Sequence, residues 1–297
     1  MDFIRSEDPR TKQFGNIRER IDYIPARKFK IPVNKERISE TGTVSPGRMH
    51  LVVPEIRLNL NRDNIGKNGL MVLDLIENNN WERPVYFAVT VSADLYMNLQ
   101  DYFQLEGLAY RLVPIYNPGS QGQIGSIDAE IMFDNMVNKF LWGNITDSTV
   151  YLDENNLRMM TNIRNNFGRL AQSLIKDGKT DSAKIVLDRC MEIMPHERIP
   201  FNYFMIPVIE GYYLIGETGV ANSYLEVLSD LMYEELSYFL TAERKYTVLL
   251  TYEKQLRMHV MQETVRMARL FGTEEMKAKS EERFQQLVML YSANEGQ

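Results

Sequence analysis

The periodicity of hydrophobic positions changes near residue 150. Before it, short apolar runs of mixed helix and strand character alternate; after it, apolar residues recur every three or four positions to the end of the chain. Residues 1–49 hold Pro9, Pro25, Pro32 and Pro46 and no sustained period of either kind. They read as an extended N-terminal arm whose apolar clusters, Tyr23-Ile24, Phe29, Ile31 and Val33, add edge strands or fill grooves. From His50, the residues Leu51, Val52 and Val53, then Ile56, Leu58 and Leu60, predict a strand broken by Pro54. Leu70, Val72, Leu73, Leu75 and Ile76 predict a short helix that starts near Gly69 and ends at Asn78-Asn79-Asn80. Pro84 to Val91 is β-rich and apolar, as a central strand buried on both faces would be. Ser92 suits the N-cap of a helix through Leu99, Leu108 to Ile115 predicts a further strand, and Ser126 to Leu141 a further helix. Residues 50–150 therefore predict a small α/β domain.

Beyond residue 151 the strand signals stop, and residues 151–297 predict an all-α domain. Asn156 to Gly178 and Asp181 to Met194 form a helical hairpin turned at Lys176-Asp177-Gly178-Lys179. With Pro195 as the terminal proline, the hairpin fills the tetratricopeptide pattern of about 34 residues. Phe167, Leu170, Ala171 and Leu174 take its places on the first helix, and Ala183, Leu187 and Cys190 those on the second. A looser unit repeats the spacing at Val208, Tyr212, Gly216, Ala221, Leu225 and Leu228. A third hairpin follows, with a helix from about Glu243 to Leu270, a turn at Phe271-Gly272-Thr273 and a closing helix from Glu274 to Tyr291. The fold class expected overall is α+β, a small α/β unit followed by a tetratricopeptide-like array of helical hairpins.

Composition adds few constraints. With 297 residues, 44% apolar and 25% charged, the chain is globular and has room for about two domains. One cysteine, Cys190, excludes an internal disulfide. The net charge of -6 argues against a nucleic-acid partner. It is uneven, because residues 1–60 carry twelve Lys or Arg against eight Asp or Glu, leaving -10 for the remainder. No apolar stretch approaches the ~18 residues of a membrane span, and Met1 to Arg5 has neither the basic nor the apolar part of a signal peptide. Read alone, this describes a cytosolic chain; its abrupt polar start is what a segment cut from a longer protein would present.

No complete catalytic constellation is written locally. His50, His196 and His259 lack metal-ligand spacing and Cys190 has no CxxC partner, so neither a metal site nor a cofactor is expected. Pro118 to Ser126 is glycine-rich before a helix, but Asp128 and Glu130 in the first turn would repel a phosphate; it reads as a surface loop. Asp153-Glu154 reads as a helix cap and not as a metal-binding Asp-x-Asp. Met159-Met160 and Met258 to Met261 read as repeat core. The candidate ligand-binding residues are Arg83, Tyr86, Glu106, Tyr110 and Arg111, which place arginines beside aromatic rings at strand ends, where a guanidinium can grip a carboxylate or phosphate. The competing reading is a structural ion pair between Arg111 and Glu106.

Longer motifs resemble a known family. Asn78 to Ala88 (NNNWERPVYFA), Tyr102 to Pro114 (YFQLEGLAYRLVP), Phe133 to Phe140 with Trp142-Gly143-Asn144, and Tyr151 to Glu154 with Asn156 to Met159 are similar to the C-terminal soluble region of large bacterial membrane proteins. These are the protein O-mannosyltransferase-like proteins of domain of unknown function 2723. Asp2 to Ser6 and Phe29 to Val33 fit the same region. The resemblance implies a polytopic N-terminal glycosyltransferase that uses lipid-linked sugar, with its acidic catalytic residues in a loop near the membrane. That part lies outside this sequence, so no catalytic residue carries over. It further implies a non-catalytic, inner-membrane-attached soluble region on the periplasmic side, whose partners are the parent membrane domain and a protein or glycan substrate. The basic first sixty residues would instead favour the cytoplasmic side if they adjoined a span. The alternatives are an independent ligand-binding or enzymatic domain around Arg83 and Arg111, and a structural spacer.

Overall fold

The computed structural model describes residues 26–60, 64–119, 123–243, 247 and 249–295. The arm up to Pro25, with Pro9 and Tyr23-Ile24, lies outside the described residues. The fold class is α+β, with the strands in the N-terminal half and an array of helices after it. The chain packs as two compact units, Met1–Asp128 and Ala129–Gln297.

In the first unit, β1 (Lys28–Pro32) pairs antiparallel with β2 (Glu55–Asn59), with Phe29 opposite Leu58 and Ile31 opposite Ile56. The period of two turns Phe29, Ile31, Ile56 and Leu58 toward the core and leaves Lys28, Lys30 and Arg57 outside. A short helix, α1 (Lys35–Glu40), is capped by Asn34, whose side chain accepts from the Arg37 amide. Pro54 has no N–H to give a ladder, so the strand expected from Leu51 to Leu60 is confined to β2, and Pro46–Leu51 winds into a 3-10 turn instead. Helix α2 (Lys67–Asn79) stops where Asn80 and Trp81 take left-handed backbone angles (φ 42° and 63°). That reversal lets the Trp81 indole N–H donate to the Pro32 carbonyl at 3.0 Å, tying the helix end to β1.

The second sheet holds β3 (Tyr86–Ala88), β4 (Phe103–Leu105), β5 (Ala109–Leu112) and β6 (Ser126–Ile127) in the order β3-β5-β4-β6. Two expectations change here. Pro84 to Val91 is not a central strand: only Tyr86–Ala88 is extended, and β3 is an edge whose outer residues are exposed. The pairing is antiparallel except between β4 and β6, because the three residues joining β4 to β5 allow a hairpin and not a crossover helix. After Ser92 there is a 3-10 turn, Ala93–Tyr96, ended by left-handed Met97 and Asn98, in place of the helix expected through Leu99. One face of the sheet joins the main core through Phe87, Tyr96, Phe103 and Tyr110, with Phe103 and Tyr110 stacked at 5.6 Å. Ser126 and Ile127 belong to β6, so the helix expected from Ser126 begins later, in the second unit.

The second unit opens with α3 (Ala129–Phe133), which widens into a π-helical stretch, Asp134–Lys139, closed by the Phe140 amide donating to the Asn135 carbonyl. The array follows: α4 (Glu154–Lys176), α5 (Thr180–Ile193), α6 (Ile206–Leu214), α7 (Thr218–Thr241), α8 (Thr251–Phe271) and α9 (Glu274–Glu295). Asp153 is the N-cap of α4, accepting from the Asn156 amide at 2.8 Å, and Glu154 lies in the first turn. Phe167, Leu170, Ala171, Leu174, Ala183, Leu187 and Cys190 are all buried in the α4–α5 hairpin. Gly178 (φ 74°) supplies the left-handed turn between these helices, and Gly216 (φ 86°) the turn after α6. Glycine at 168 serves packing instead, since a Cβ there would lie 2.9 Å from the Pro207 ring on α6. Of the methionines, Met160 and Met261 are core while Met159 is half-exposed.

A charged residue sits at the centre of this packing. Arg164 of α4 is fully buried, and its guanidinium donates to the carbonyls of Met194 (2.9 Å), Ile199 (2.7 Å) and Pro200 (3.1 Å), with the Phe201 ring 5.4 Å from its central carbon. The Met194 carbonyl belongs to the C-cap of α5, where the backbone is electronegative, and the other two lie in the link to α6. One side chain thus fixes the end of one hairpin and the start of the next.

Candidate functional site

The alternation along β3, β4 and β5 sorts the five candidate residues onto different surfaces. Tyr86 lies opposite Arg111, Arg111 opposite Gln104, and Gln104 opposite Ser126, so one face of the sheet carries a polar row across all four strands. Glu106, two residues beyond Gln104, extends the same face. Tyr110 falls on the opposite face, stacked in the aromatic core. Arg83 lies before β3 and is exposed; it borders a small cavity with Trp81, Val85 and Leu112, which has room for about one water molecule. The structure therefore unites Tyr86, Glu106 and Arg111, and separates Tyr110 and Arg83 from them.

Four residues outside the candidate set, Ser45, Arg48, Gln104 and Asp128, complete the cluster. Arg48, from the 3-10 turn after Ser45, donates to Gln104 Oε1 at 2.7 Å and faces Asp128 Oδ2 at 3.4 Å; Ser45 donates to the same Asp128 oxygen at 3.0 Å. The signal available for Gln104 and Glu106 was their place in Phe103-Gln104-Leu105-Glu106, an otherwise apolar run in which every second residue is polar. Gln104 Nε2 donates to Glu106 Oε1 and the Tyr86 hydroxyl to Glu106 Oε2, both at 2.9 Å. Arg111 Nη1 stands 3.6 Å from Glu106 Oε1, and its guanidinium carbon lies 5.8 Å from the Tyr86 ring centre. Among the described residues, the two cations Arg48 and Arg111 each face one carboxylate, Asp128 and Glu106. Burial, followed by the hydrogen bond to Glu106, raises the Tyr86 pKa and keeps the phenol protonated. Among the described residues, no three His, Cys, Asp or Glu side chains converge to hold a metal ion.

A second surface lies on the helical array. Tyr203 and Phe204, in the turn before α6, pack with ring centres 4.0 Å apart, near exposed Tyr252 (69%) in the first turn of α8, which exposed Leu249 (89%) precedes. Arg266 of α8 bridges to Glu210 of α6 at 2.9 Å and to Glu263 at 2.7 Å. Helices α6 and α8 thus present neighbouring aromatic and charged groups.

Residues 1–131 match the family model of TMEM260-associated domain 2. The TMEM260-associated match spans the sheet-bearing unit and ends in α3, so the helical array lies beyond it. It ties this part of the chain to a family of membrane proteins, while no helix among the described residues is long and apolar enough to cross a membrane. No curated protein and no solved structure matches the chain.

The buried acids of the array set an alkaline limit on stability. Burial pushes the Cys190 thiol from 9.0 up to about 12 and the Tyr213 phenol from 10.0 up to about 12, and raises Tyr212, which also donates to Asp188 at 2.9 Å. Each group is neutral when folded and ionises near its ordinary value once unfolded, so unfolding releases protons above about pH 9. Their stabilisation is complete below that pH and declines as pH rises toward 12, first through Cys190 and above about pH 10 through the two tyrosines as well. Urea melts from pH 8 to 11.5 are expected to show this fall beginning near 9. At pH 8 Cys190 is expected to react with a disulfide thiol reagent orders of magnitude more slowly in the folded protein than in the unfolded chain.

Proposed function

We propose that this chain is a non-catalytic accessory region of a membrane glycosyltransferase of the protein O-mannosyltransferase-like type, in which the α+β unit goes with the membrane enzyme and the helical array holds a protein or glycan substrate, or a partner, near it. The observation that carries this reading is the match of residues 1–131 to a domain associated with a membrane protein family. The family resemblance of the Asn78 to Ala88 and Tyr102 to Pro114 motifs supplies the enzyme class, and with it the periplasmic side. The hairpin array is read as tetratricopeptide-like, and helices stacked in this way leave an extended surface suited to long ligands. Its expected contact surface is the Tyr203, Phe204, Tyr252 and Leu249 group.

The test is a photo-crosslinking residue at Leu249 or Tyr252 in membranes from cells that make the full-length protein. A discrete adduct with a glycosylated protein or with the parent membrane domain is expected, and the same residue placed at exposed Lys67, in the other unit, should give none with a glycosylated protein. Transfer of sugar from a lipid-linked donor by the purified 297-residue chain alone would overturn the reading.

A further inference from the structure

We infer that Arg111 anchors a binding site for a carboxylate monoanion on the polar face of the second sheet, independent of the helical surface. The residue is only 9% exposed. A planar cation with five N–H donors gives up its hydration at that depth at little cost only where oxygen acceptors take the place of water. Its neighbours among the described residues do not supply them. Glu106 stands at 3.6 Å from Nη1, beyond hydrogen-bond range. It cannot turn closer without releasing the Tyr86 hydroxyl from one oxygen or the Gln104 amide from the other. The Gln104 side-chain oxygen Oε1 already accepts from Arg48. Arg111 Nε is left buried without an acceptor, and the Tyr86 ring covers the guanidinium.

Charge and shape select the ligand class. Among the described residues, Arg48 faces Asp128 and Arg111 faces Glu106, one cation to each carboxylate. One added negative charge can be met by the unfilled donors of Arg111, whereas a phosphate dianion would meet the Glu106 carboxylate with twice the repulsion. A carboxylate also offers two coplanar oxygens that fit the fork formed by Nε and one Nη. Access runs past Tyr86, which is 47% exposed, lies on an edge strand, and is held across the guanidinium by its one hydrogen bond to Glu106. Swinging the ring outward uncovers Arg111, so Tyr86 acts as the cover of the site.

The Arg111 Nε–H is observable directly by ¹⁵N NMR of the full 297-residue chain, assigned by its disappearance in Arg111→Lys. Titration with acetate, with sodium chloride adjusted to hold ionic strength constant, is expected to move this resonance saturably. Phosphate at pH 8 should act at least about ten-fold more weakly. Tyr86→Ala, which removes the cover, is expected to tighten acetate binding several-fold, because less of the protein is held in a closed form. Arg111→Lys, checked for folding by its thermal melt, should lose at least about ten-fold in acetate affinity read from backbone amides of β5. A resonance that stays still in both the wild type and Tyr86→Ala, an equal response to chloride, or phosphate binding as tightly as acetate would overturn the proposal.

Discussion

Arg164→Met is expected to lower the unfolding free energy by about 3–5 kcal/mol, among the largest effects of any single substitution in the helical array. Methionine has about the right length to fill the space, so the loss does not come from a cavity. It comes from the carbonyls of Met194, Ile199 and Pro200, which lose their shared donor, the first two in buried hydrogen bonds. Each unmet buried acceptor costs about 1–3 kcal/mol, and the favourable placement of a cation at the C-terminus of α5 is lost as well. Burial lowers the Arg164 pKa, yet the group remains charged at neutral pH, so the wild type keeps its donors. Arg164→Lys should recover little, since a single ammonium cannot span three carbonyls as the planar fork does. Urea unfolding followed by circular dichroism measures the difference. A loss below about 1 kcal/mol would mean that the link from Met194 to Phe201 rearranges to satisfy itself.

Glu106→Leu is expected to cost about 3–5 kcal/mol for a different reason. It leaves the Arg111 charge buried without a counter-ion and takes the acceptor from both the Tyr86 hydroxyl and the Gln104 amide. The double variant Glu106→Leu with Arg111→Met removes both charges, and should regain much of the loss, ending within about 1–2 kcal/mol of the wild type. Thermal and urea melts of the two singles and the double form the cycle that decides this. Such recovery would show that the ion pair is not retained for stability, as expected if Arg111 is kept for an incoming carboxylate. If the double variant is no better than Glu106→Leu, the polar row is itself the support of the sheet.

Both residues carried a sequence signal of the same kind. Arg164 lies in the stripe formed by Met160, Phe167 and Ala171, three and four residues apart, so a charge stands where the helix period requires core. Gln104 and Glu106 alternate with Phe103 and Leu105 in a strand whose every residue is buried. A polar residue in a core register is costly unless something pairs with it. The pattern can therefore point to the position, but not to the partner. The acceptors of Arg164 lie 30 to 36 residues away along the chain, and Arg48 reaches Gln104 across 56.

The helical half was legible because its helices repeat a local period and are joined by short turns, so spacing fixes which faces meet. In the first half, strand lengths and order escaped the same reading. Pro84-Val85-Tyr86-Phe87-Ala88 has the composition of a central strand, and no local feature reports that β5 would occupy one side only. Hydrophobic pattern and backbone chemistry by themselves determined the α+β class, the hairpin turns at Gly178 and Phe271-Gly272-Thr273, and the cap at Asp153. Only the tertiary structure decided that Tyr86, Glu106 and Arg111 share a face while Tyr110 and Arg83 do not. Strand register sets that outcome, and register depends on pairing between residues that the sequence keeps apart.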